Sequence, residues 1–251
     1  MTHTSRVDFV VPVYNEKENF SVLYENLKKL VQAEWNIYLV YDFPDDSTLE
    51  VARPLSQVDP RIHLVENTGK GVLGAIVTGF GVAESDAIMV VMVDETPDSI
   101  KIFDVMVERF YSHNAAIVVA SRYMKGGHAY GAPFLKGLLS RISGVSLYYV
   151  IGLPTHDATN ATRLYRKSFL RSVRVESDKG FALTLELTIK AHLKGLRIEE
   201  IPVTWREREV GTSRFSLRKW ILIYLRWYMY GLTRYYFSFM YAGSKNTQQS
   251  S

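Results

Sequence analysis

The sequence predicts an α/β domain in which helices flank a mostly parallel β-sheet. Short apolar segments of strand length alternate with segments whose apolar residues recur at helical spacing, which is typical of βαβ units. The clearest strand is residues 87–93, where seven apolar residues follow one another. An apolar run without alternation indicates a strand that is buried on both faces of the sheet.

The first half of the chain contains five predicted strands with helices between them. The strands span residues 7–13, 35–41, 61–65, 87–93 and 115–120, and the helices span 18–32, 49–58, 72–83 and 100–113. In the first helix, Phe20, Leu23 and Leu27 recur at the spacing of one helical face. We expect the loops after these strands to meet at one edge of the sheet.

After residue 123 the alternation is less regular. Residues 125–133 are rich in glycine and predict a mobile loop. The remaining predicted elements are helices at 134–151 and 181–193 and strands at 163–165 and 197–205. We expect one domain at residues 1–214, a helical segment at 215–243 and a disordered tail at 244–251.

The helical segment has an unusual charge distribution. The 251-residue chain carries a net charge of +4, and no acidic residue follows Glu209. The segment is apolar and aromatic, and its basic residues are Arg218, Lys219, Arg226 and Arg234. This pattern predicts amphipathic helices at a membrane interface, divided at Gly231, with aromatic rings such as that of Trp227 at headgroup depth. A helix packed on the sheet is the alternative, although it does not explain the absence of acids.

The predicted partner of this segment is a membrane surface and not nucleic acid. The sequence shows no signal peptide and no apolar stretch of spanning length. We therefore expect a peripheral protein on the cytoplasmic face of a membrane.

Acidic residues follow the apolar strand at 87–93. Asp94 and Glu95 come directly after it, and Asp98 follows Pro97. Ligands of open α/β sheets bind at the carboxyl ends of strands, where a carboxylate can hold a hard cation and its phosphates. Asp94 is therefore a predicted metal ligand, whereas Asp98 more simply caps the next helix. The chain has no cysteine, which excludes thiolate ligands.

A glycine motif allows a second hypothesis. Gly69-Lys-Gly71-Val-Leu-Gly74 matches G-x-G-x-x-G, and Asp94 lies about twenty residues beyond it. This spacing occurs in NAD(P)-dependent dehydrogenases. In those proteins the motif follows the first strand, whereas here two strand–helix units precede it. A glycine-rich turn without a ligand is the plainer alternative.

Several further motifs occur in a fixed order between residues 7 and 215. They are Val-Val-Pro12-Val-Tyr14-Asn15-Glu16, Asn67-Thr-Gly69-Lys70-Gly71, Ala120-Ser-Arg122-Tyr-Met-Lys-Gly126-Gly127, Leu138-Leu139-Ser140-Arg141 and Arg208-Glu-Val-Gly211-Thr-Ser213-Arg214. Together they resemble the family 2 glycosyltransferases of GT-A fold. The similarity is greatest to the polyprenyl-phosphate glycosyltransferases typified by dolichol-phosphate mannosyltransferase.

The resemblance implies an inverting glycosyltransferase that moves a sugar from a nucleotide-diphosphate sugar to a polyprenyl phosphate, assisted by Mg²⁺ or Mn²⁺. It implies that the nucleotide sugar is bound by Pro12, Tyr14, Glu16, Asp42, Lys70 and Asp94, with Asp94 also holding the metal. It implies that the acceptor phosphate is bound by Arg122, Lys136, Ser140, Arg208 and Arg214. The residues expected to act in catalysis are Asp94, Arg122, Ser140 and Arg208.

The sequence also departs from the family pattern. Tyr41 and Met92 stand where the family has the first aspartate of two acidic motifs, and Asp157-Ala-Thr-Asn160-Ala161 replaces its Asp-x-x-Ser-Gly. A homologue that binds nucleotide without catalysing transfer is therefore an alternative. The neighbouring His156 and Asp157 are catalytic or metal-binding or, more simply, structural.

Overall fold

The structure is a computed structural model that describes residues 5–131, 134–206 and 217–247. The side chains of residues 134–136, 217–221 and 238–247 are outside this description.

Strands and helices alternate through most of the described chain. The strands are β1 (Arg6–Val13), β2 (Glu34–Tyr41), β3 (Ile62–Glu66), β4 (Ala87–Val90), β5 (Ile117–Ser121), β6 (His128–Tyr130), β7 (Arg163–Arg166), β8 (Ile198–Pro202) and β9 (Thr204–Arg206). The helices are α1 (Lys17–Leu30), α2 (Leu49–Val58), α3 (Gly71–Val82), α4 (Pro97–Ile100), α5 (Phe103–Ser112), α6 (Phe134–Ile151), α7 (Lys167–Arg171), α8 (Ala182–Leu193) and α9 (Leu217–Thr247).

Seven strands form one twisted sheet in the order β3-β2-β1-β4-β7-β5-β8. All neighbouring pairs are parallel except those of β7, which runs antiparallel to both β4 and β5. The predicted mostly parallel sheet flanked by helices is confirmed. The chain order reverses beside β1, because β2 lies on one side of it and β4 on the other. Such a switch point is where open α/β sheets bind ligands.

The sheet is buried on both faces. Phe9 and Val10 are neighbours in β1, point to opposite faces, and are both fully buried. On one face the core includes Phe20 of α1 and Phe103 of α5. On the other face α3 lies so close that a Cβ added at Gly79 would be 2.3 Å from Cγ1 of Val10.

Three predicted elements differ in the structure. β4 ends at Val90, three residues early, because the chain turns there and the N–H of Glu95 donates to the carbonyl of Met92 at 3.1 Å. The predicted helix 100–113 corresponds to α5, which begins at Phe103, and the separate short helix α4 precedes it. The predicted strand 197–205 is divided between β8 and β9 by Val203, whose N–H donates to the carbonyl of Ser121 at 3.0 Å.

The glycine-rich loop predicted at residues 125–133 contains a strand. β6 pairs in parallel with β9, with His128 opposite Thr204, and forms a second, two-stranded sheet. Residues 132 and 133 lie outside the described part of the chain.

Helix α9 packs against α6 and α8. It is one continuous helix of 31 residues, so the predicted division at Gly231 is wrong. Gly231 is buried and allows close packing instead, since a Cβ there would lie 3.1 Å from Cδ1 of Ile189 in α8. Trp227 is only 2% exposed and packs with Leu185 and Ile189. The prediction that Trp227 lies at headgroup depth is therefore wrong.

The far end of α9 reaches Thr247, four residues into the segment predicted to be disordered, and residues 248–251 lie outside the described part. Within the described residues, no helix combines the length and the apolarity needed to span a membrane.

Candidate active site

A cavity of about 300 Å³ opens where β1, β2 and β4 end. It is lined by five of the six residues predicted to bind the nucleotide sugar, namely Pro12, Tyr14, Glu16, Asp42 and Asp94. The sixth, Lys70, is exposed and directly precedes Gly71, which lines the cavity at the start of α3. Residues that are far apart in sequence therefore meet because parallel strands end at one edge.

The loops after β1 and β2 are tied to each other. Asn15 has a left-handed φ of 55°, and its N–H donates to the carboxylate of buried Asp46 at 3.0 Å. The side-chain oxygen of Asn15 accepts from the N–H of Ser47 at 3.0 Å, and Thr48 accepts from the N–H of Glu16 at 2.9 Å. These bonds hold the backbone around Tyr14 and Glu16 in a fixed shape beside the cavity.

The polar lining of the cavity is acidic. Glu16, Asp42 and Asp94 contribute carboxylates, and none of the described lining residues is basic. A diphosphate in this cavity would be repelled unless a cation lay between it and the carboxylates. The described residues contain no group of three or more His, Asp or Glu side chains that would hold a metal by themselves. A donor set of one or two carboxylates completed by phosphate oxygens is the usual way in which Mg²⁺ is bound.

The glycine motif has a backbone explanation. Gly71 has a left-handed φ of 60°, and a Cβ added at Gly69 would lie only 2.8 Å from Cα of Gly74. Asn67 supports the turn by accepting from the N–H of Gly69 at 2.8 Å and by donating to Asp42. The glycines are therefore required by the tight turn into α3.

Glu95 and Asp98 do not line the cavity. Glu95 is buried and accepts a hydrogen bond from Thr162, just before β7. Its burial raises its pKa, and the nearby charge of Asp94 raises it further. Asp98 lies in the first turn of α4 and makes an exposed ion pair of 3.1 Å with Lys101, with no capping bond at that helix.

A second polar cluster surrounds Arg122, at the end of β5. Its Nε donates to Oδ2 of Asp157 at 2.7 Å, and its Nη2 donates to Oδ1 at 2.9 Å. Asp157 is fully buried, and burial alone would raise its pKa, but the Arg122 charge outweighs this effect and holds the pKa below its ordinary value. The rings of Tyr123 and Trp205 lie 4.9 and 5.7 Å from the guanidinium carbon.

Ser140 of α6 belongs to this cluster. Its Oγ lies 3.2 Å from Nη2 of Arg122. Lys136 lies one helical turn before Ser140, but its side chain is outside the description. Arg208 and Arg214 lie outside the described residues.

The loop that carries Asp157 is fixed from two sides. Arg163 is fully buried and donates to the carbonyls of Asp157 at 2.6 Å and Asn160 at 2.8 Å. Glu200 of β8 accepts from the N–H of His156 at 2.9 Å and lies 2.6 Å from its Nδ1. His156 and Asp157 therefore face different partners, which fits the structural interpretation of this pair.

Three residues near these clusters were not among the predicted site residues. Phe181 is the one described residue from the second half of the chain that lines the cavity, and Met92 lines it beside Asp94. Thr159 contacts both Arg122 and Ser140. Nothing in the local sequence indicated Phe181 or Thr159, because both reach the site through the fold. The departure from the family pattern had marked Met92.

The sequence profile described as Glycosyl transferase family 2 matches residues 8–174. The chain belongs to this family. Polyprenol monophosphomannose synthase of Mycolicibacterium smegmatis is 28% identical over 223 residues, covering 85% of this chain and 82% of the relative. Undecaprenyl-phosphate mannosyltransferase of Micrococcus luteus is 28% identical over 216 residues, covering 84% and 88%. Dolichol-phosphate mannosyltransferase of Pyrococcus furiosus is 29% identical over 226 residues, covering 88% of this chain but 62% of the relative, so the chain spans less than two thirds of that protein.

Solved structures confirm the GT-A fold of this family 2 glycosyltransferase. Glucosyl-3-phosphoglycerate synthase from Mycobacterium tuberculosis, in complex with Mn²⁺ and uridine-diphosphate-glucose, matches with a TM-score of 0.65 at 14% identity, covering 91% of this chain and 78% of that chain. The same enzyme in complex with Mg²⁺ and uridine-diphosphate matches with a TM-score of 0.62 at 15% identity, covering 91% and 79%. At this identity the likeness shows the fold alone.

Family membership confirms the prediction of a glycosyltransferase. The matched region contains the glycine motif, Asp94 and the Arg122 cluster. It therefore favours this activity over the dehydrogenase hypothesis.

Proposed function

We propose that this family 2 glycosyltransferase moves a sugar from a nucleotide-diphosphate sugar to a polyprenyl phosphate, with inversion at the anomeric carbon. The observation that carries the proposal is the convergence of five predicted donor-binding residues on one acidic cavity. The printed names of the curated relatives, which refer to polyprenol, undecaprenyl and dolichol phosphates, support the choice of acceptor.

The donor occupies the cavity in this proposal. Pro12, Tyr14, Glu16 and Asp42 hold the base and ribose, and Lys70 at the start of α3 lies toward the diphosphate. Asp94 holds Mg²⁺ or Mn²⁺, which fits an acidic cavity without a described basic lining residue. When bound, the ion neutralises charge on the leaving nucleoside diphosphate.

The acceptor phosphate binds at the second cluster. Arg122 and Ser140 orient it, together with Lys136, Arg208 and Arg214. A phosphate oxygen attacks the anomeric carbon as the bond to the diphosphate oxygen breaks, and one displacement inverts the centre. A phosphate monoester is already ionised near neutral pH, so the residues need only position the reactants and stabilise charge.

We also propose that α9 rests on the cytoplasmic face of a membrane, beside the catalytic domain at 1–214. Its outer face carries a stripe of apolar side chains that the protein leaves exposed, namely Leu222, Leu225, Met229 and Tyr236. Arg226 is exposed next to the stripe. Apolar side chains beside an arginine suit the boundary between acyl chains and anionic headgroups. This placement brings the acceptor site to a phosphate whose lipid stays in the bilayer.

Calorimetric titration with nucleoside diphosphates and their sugars, with and without Mn²⁺, tests the donor assignment. We expect binding that strengthens with Mn²⁺ in the wild type and is lost in Asp94→Asn. Asp98→Asn is the matched control, since Asp98 is exposed and lies outside the cavity. Unchanged metal-dependent binding in Asp94→Asn would refute the role of Asp94. Tight binding of NADH without metal would instead support the dehydrogenase hypothesis.

A further inference from the structure

The acceptor cluster contains a hydroxyl group to which the proposed function gives no role, that of Thr159. Its Oγ1 lies 2.5 Å from Oγ of Ser140 and 3.1 Å from Nη2 of Arg122. Because Nη2 is also 3.2 Å from Ser140, the three side chains form a closed triangle. They come from three separate segments: the end of β5, helix α6 and the loop before β7.

Thr159 is also linked to the buried carboxylate of Asp157. Thr159 has two oxygen atoms within reach as acceptors: Oδ1 of Asp157 at 3.4 Å and Oγ of Ser140 at 2.5 Å. Oδ1 already accepts from Arg122 and from the N–H groups of Thr159 and Asn160. The single hydroxyl hydrogen of Thr159 can serve either oxygen, and where it serves Asp157, Ser140 donates to Thr159. The backbone N–H of Thr159 also donates to Oδ1 of Asp157 at 3.2 Å, so Thr159 is anchored to the buried carboxylate in both cases.

The contact with Thr159 fixes the position of the Ser140 side chain. Its Oγ is bound to Thr159 and accepts from Nη2 of Arg122. Both Ser140 and Thr159 are only partly buried, so a phosphate can approach them.

We propose that Thr159 is a positioning residue for the acceptor phosphate. It holds the Ser140 hydroxyl in place beside Arg122, where the hydroxyl can bind a phosphate oxygen. A hydrogen bond to a charged oxygen is stronger than one between neutral groups, so the position of Ser140 affects how tightly the phosphate is held. The inference rests on the proposed function, because it names a residue of the same acceptor site.

Steady-state transfer tests this role, with polyprenyl phosphate varied at saturating nucleotide sugar. We expect Thr159→Val to raise the KM for polyprenyl phosphate roughly tenfold, the loss of about one oriented hydrogen bond to a charged group. Donor affinity measured by calorimetry stays unchanged. Thr159→Ser restores the hydroxyl and returns KM to within about twofold of the wild type.

Two further variants separate orientation from packing. Ser140→Ala with Thr159→Val is expected to be no worse than Ser140→Ala alone, because Thr159 acts through Ser140. Ser143→Ala, one turn along α6, is the matched control and leaves KM unchanged.

The outcomes distinguish the two proposals. If the wild type transfers sugar and Thr159→Val has an unchanged KM for polyprenyl phosphate, only the role of Thr159 is refuted and the proposed function stands. Equal impairment of Thr159→Val and Thr159→Ser, or full additivity with Ser140→Ala, also refutes it. A wild-type chain that binds the donor but transfers no sugar to polyprenyl phosphate refutes the proposed function, and the role of Thr159 with it.

Discussion

The ion pair between Arg122 and Asp157 allows a quantitative prediction. Asp157→Asn keeps the shape of the side chain and removes its charge. The carboxylate accepts five N–H bonds: Oδ2 from the backbone N–H and Nε of Arg122, and Oδ1 from Nη2 of Arg122 and the N–H groups of Thr159 and Asn160. In either orientation of the amide, its NH₂ group replaces one of these oxygens and faces at least two donors.

The loss of folding stability in Asp157→Asn follows from the burial of this ion pair. Hydrogen bonds to charged groups contribute about 1.5–3 kcal/mol each. Removing one partner of a buried pair also leaves the other charge uncompensated, which costs about 3–5 kcal/mol in total. We therefore expect Asp157→Asn to lower the free energy of unfolding by about 3–5 kcal/mol. The exposed pair of Asp98 and Lys101 is the control, and Asp98→Asn should cost less than about 1 kcal/mol.

Urea denaturation at several pH values measures both effects. The folded pKa of Asp157 is depressed. Its contribution is therefore present above the unfolded value of about 3.9 and is lost as the pH falls through the folded value. Wild type and Asp157→Asn should differ near neutral pH, and the difference should begin to shrink below about pH 4 and disappear only below the depressed pKa of the folded state. A difference under about 1 kcal/mol at neutral pH, or one that does not shrink at all as the pH falls below about 4, would refute the importance of this pair.

Two further predictions concern the acceptor and the membrane. Arg208→Ala should reduce transfer to polyprenyl phosphate by about tenfold or more, because a charge-assisted contact to phosphate is lost, and nucleotide affinity should be unchanged. Reduced nucleotide affinity with normal use of the acceptor would show that Arg208 binds the donor instead. Leu225→Ser with Met229→Ser, two changes in the exposed stripe of α9, should reduce flotation with anionic liposomes, whereas Val58→Ser, an exposed valine at the end of α2, should not. Equal flotation of both variants and the wild type would show that the stripe does not contact the membrane.

Local sequence patterns predicted the sheet because its strands are apolar on both faces. The first five strands and the helices between them follow from this pattern, and the ends of parallel strands must share an edge. Tyr14, Asp42 and Asp94 are therefore brought together for a reason that is visible in the sequence. The direction of β7 was not predictable in this way, because its antiparallel pairing depends on distant strands.

The remaining features depend on contacts between distant segments. Gly231 looked like a point of division in α9, but Ile189 of α8 packs against it. Trp227 looked interfacial because tryptophan is common at membrane surfaces, yet α6 and α8 bury it. The link from Thr159 to Ser140 requires two segments that periodicity alone cannot place side by side.

Transfer itself tests the central claim most directly. The 251-residue chain would be incubated with Mn²⁺, polyprenyl phosphate in mixed vesicles and each common nucleotide sugar in turn, and the lipid product identified by mass spectrometry. The account predicts a polyprenyl-phosphate monosaccharide from at least one donor, which is lost on adding a chelator and in Asp94→Asn. Binding of that donor without any glycolipid product from any of the sugars would contradict it and would favour a homologue that binds nucleotide without catalysing transfer.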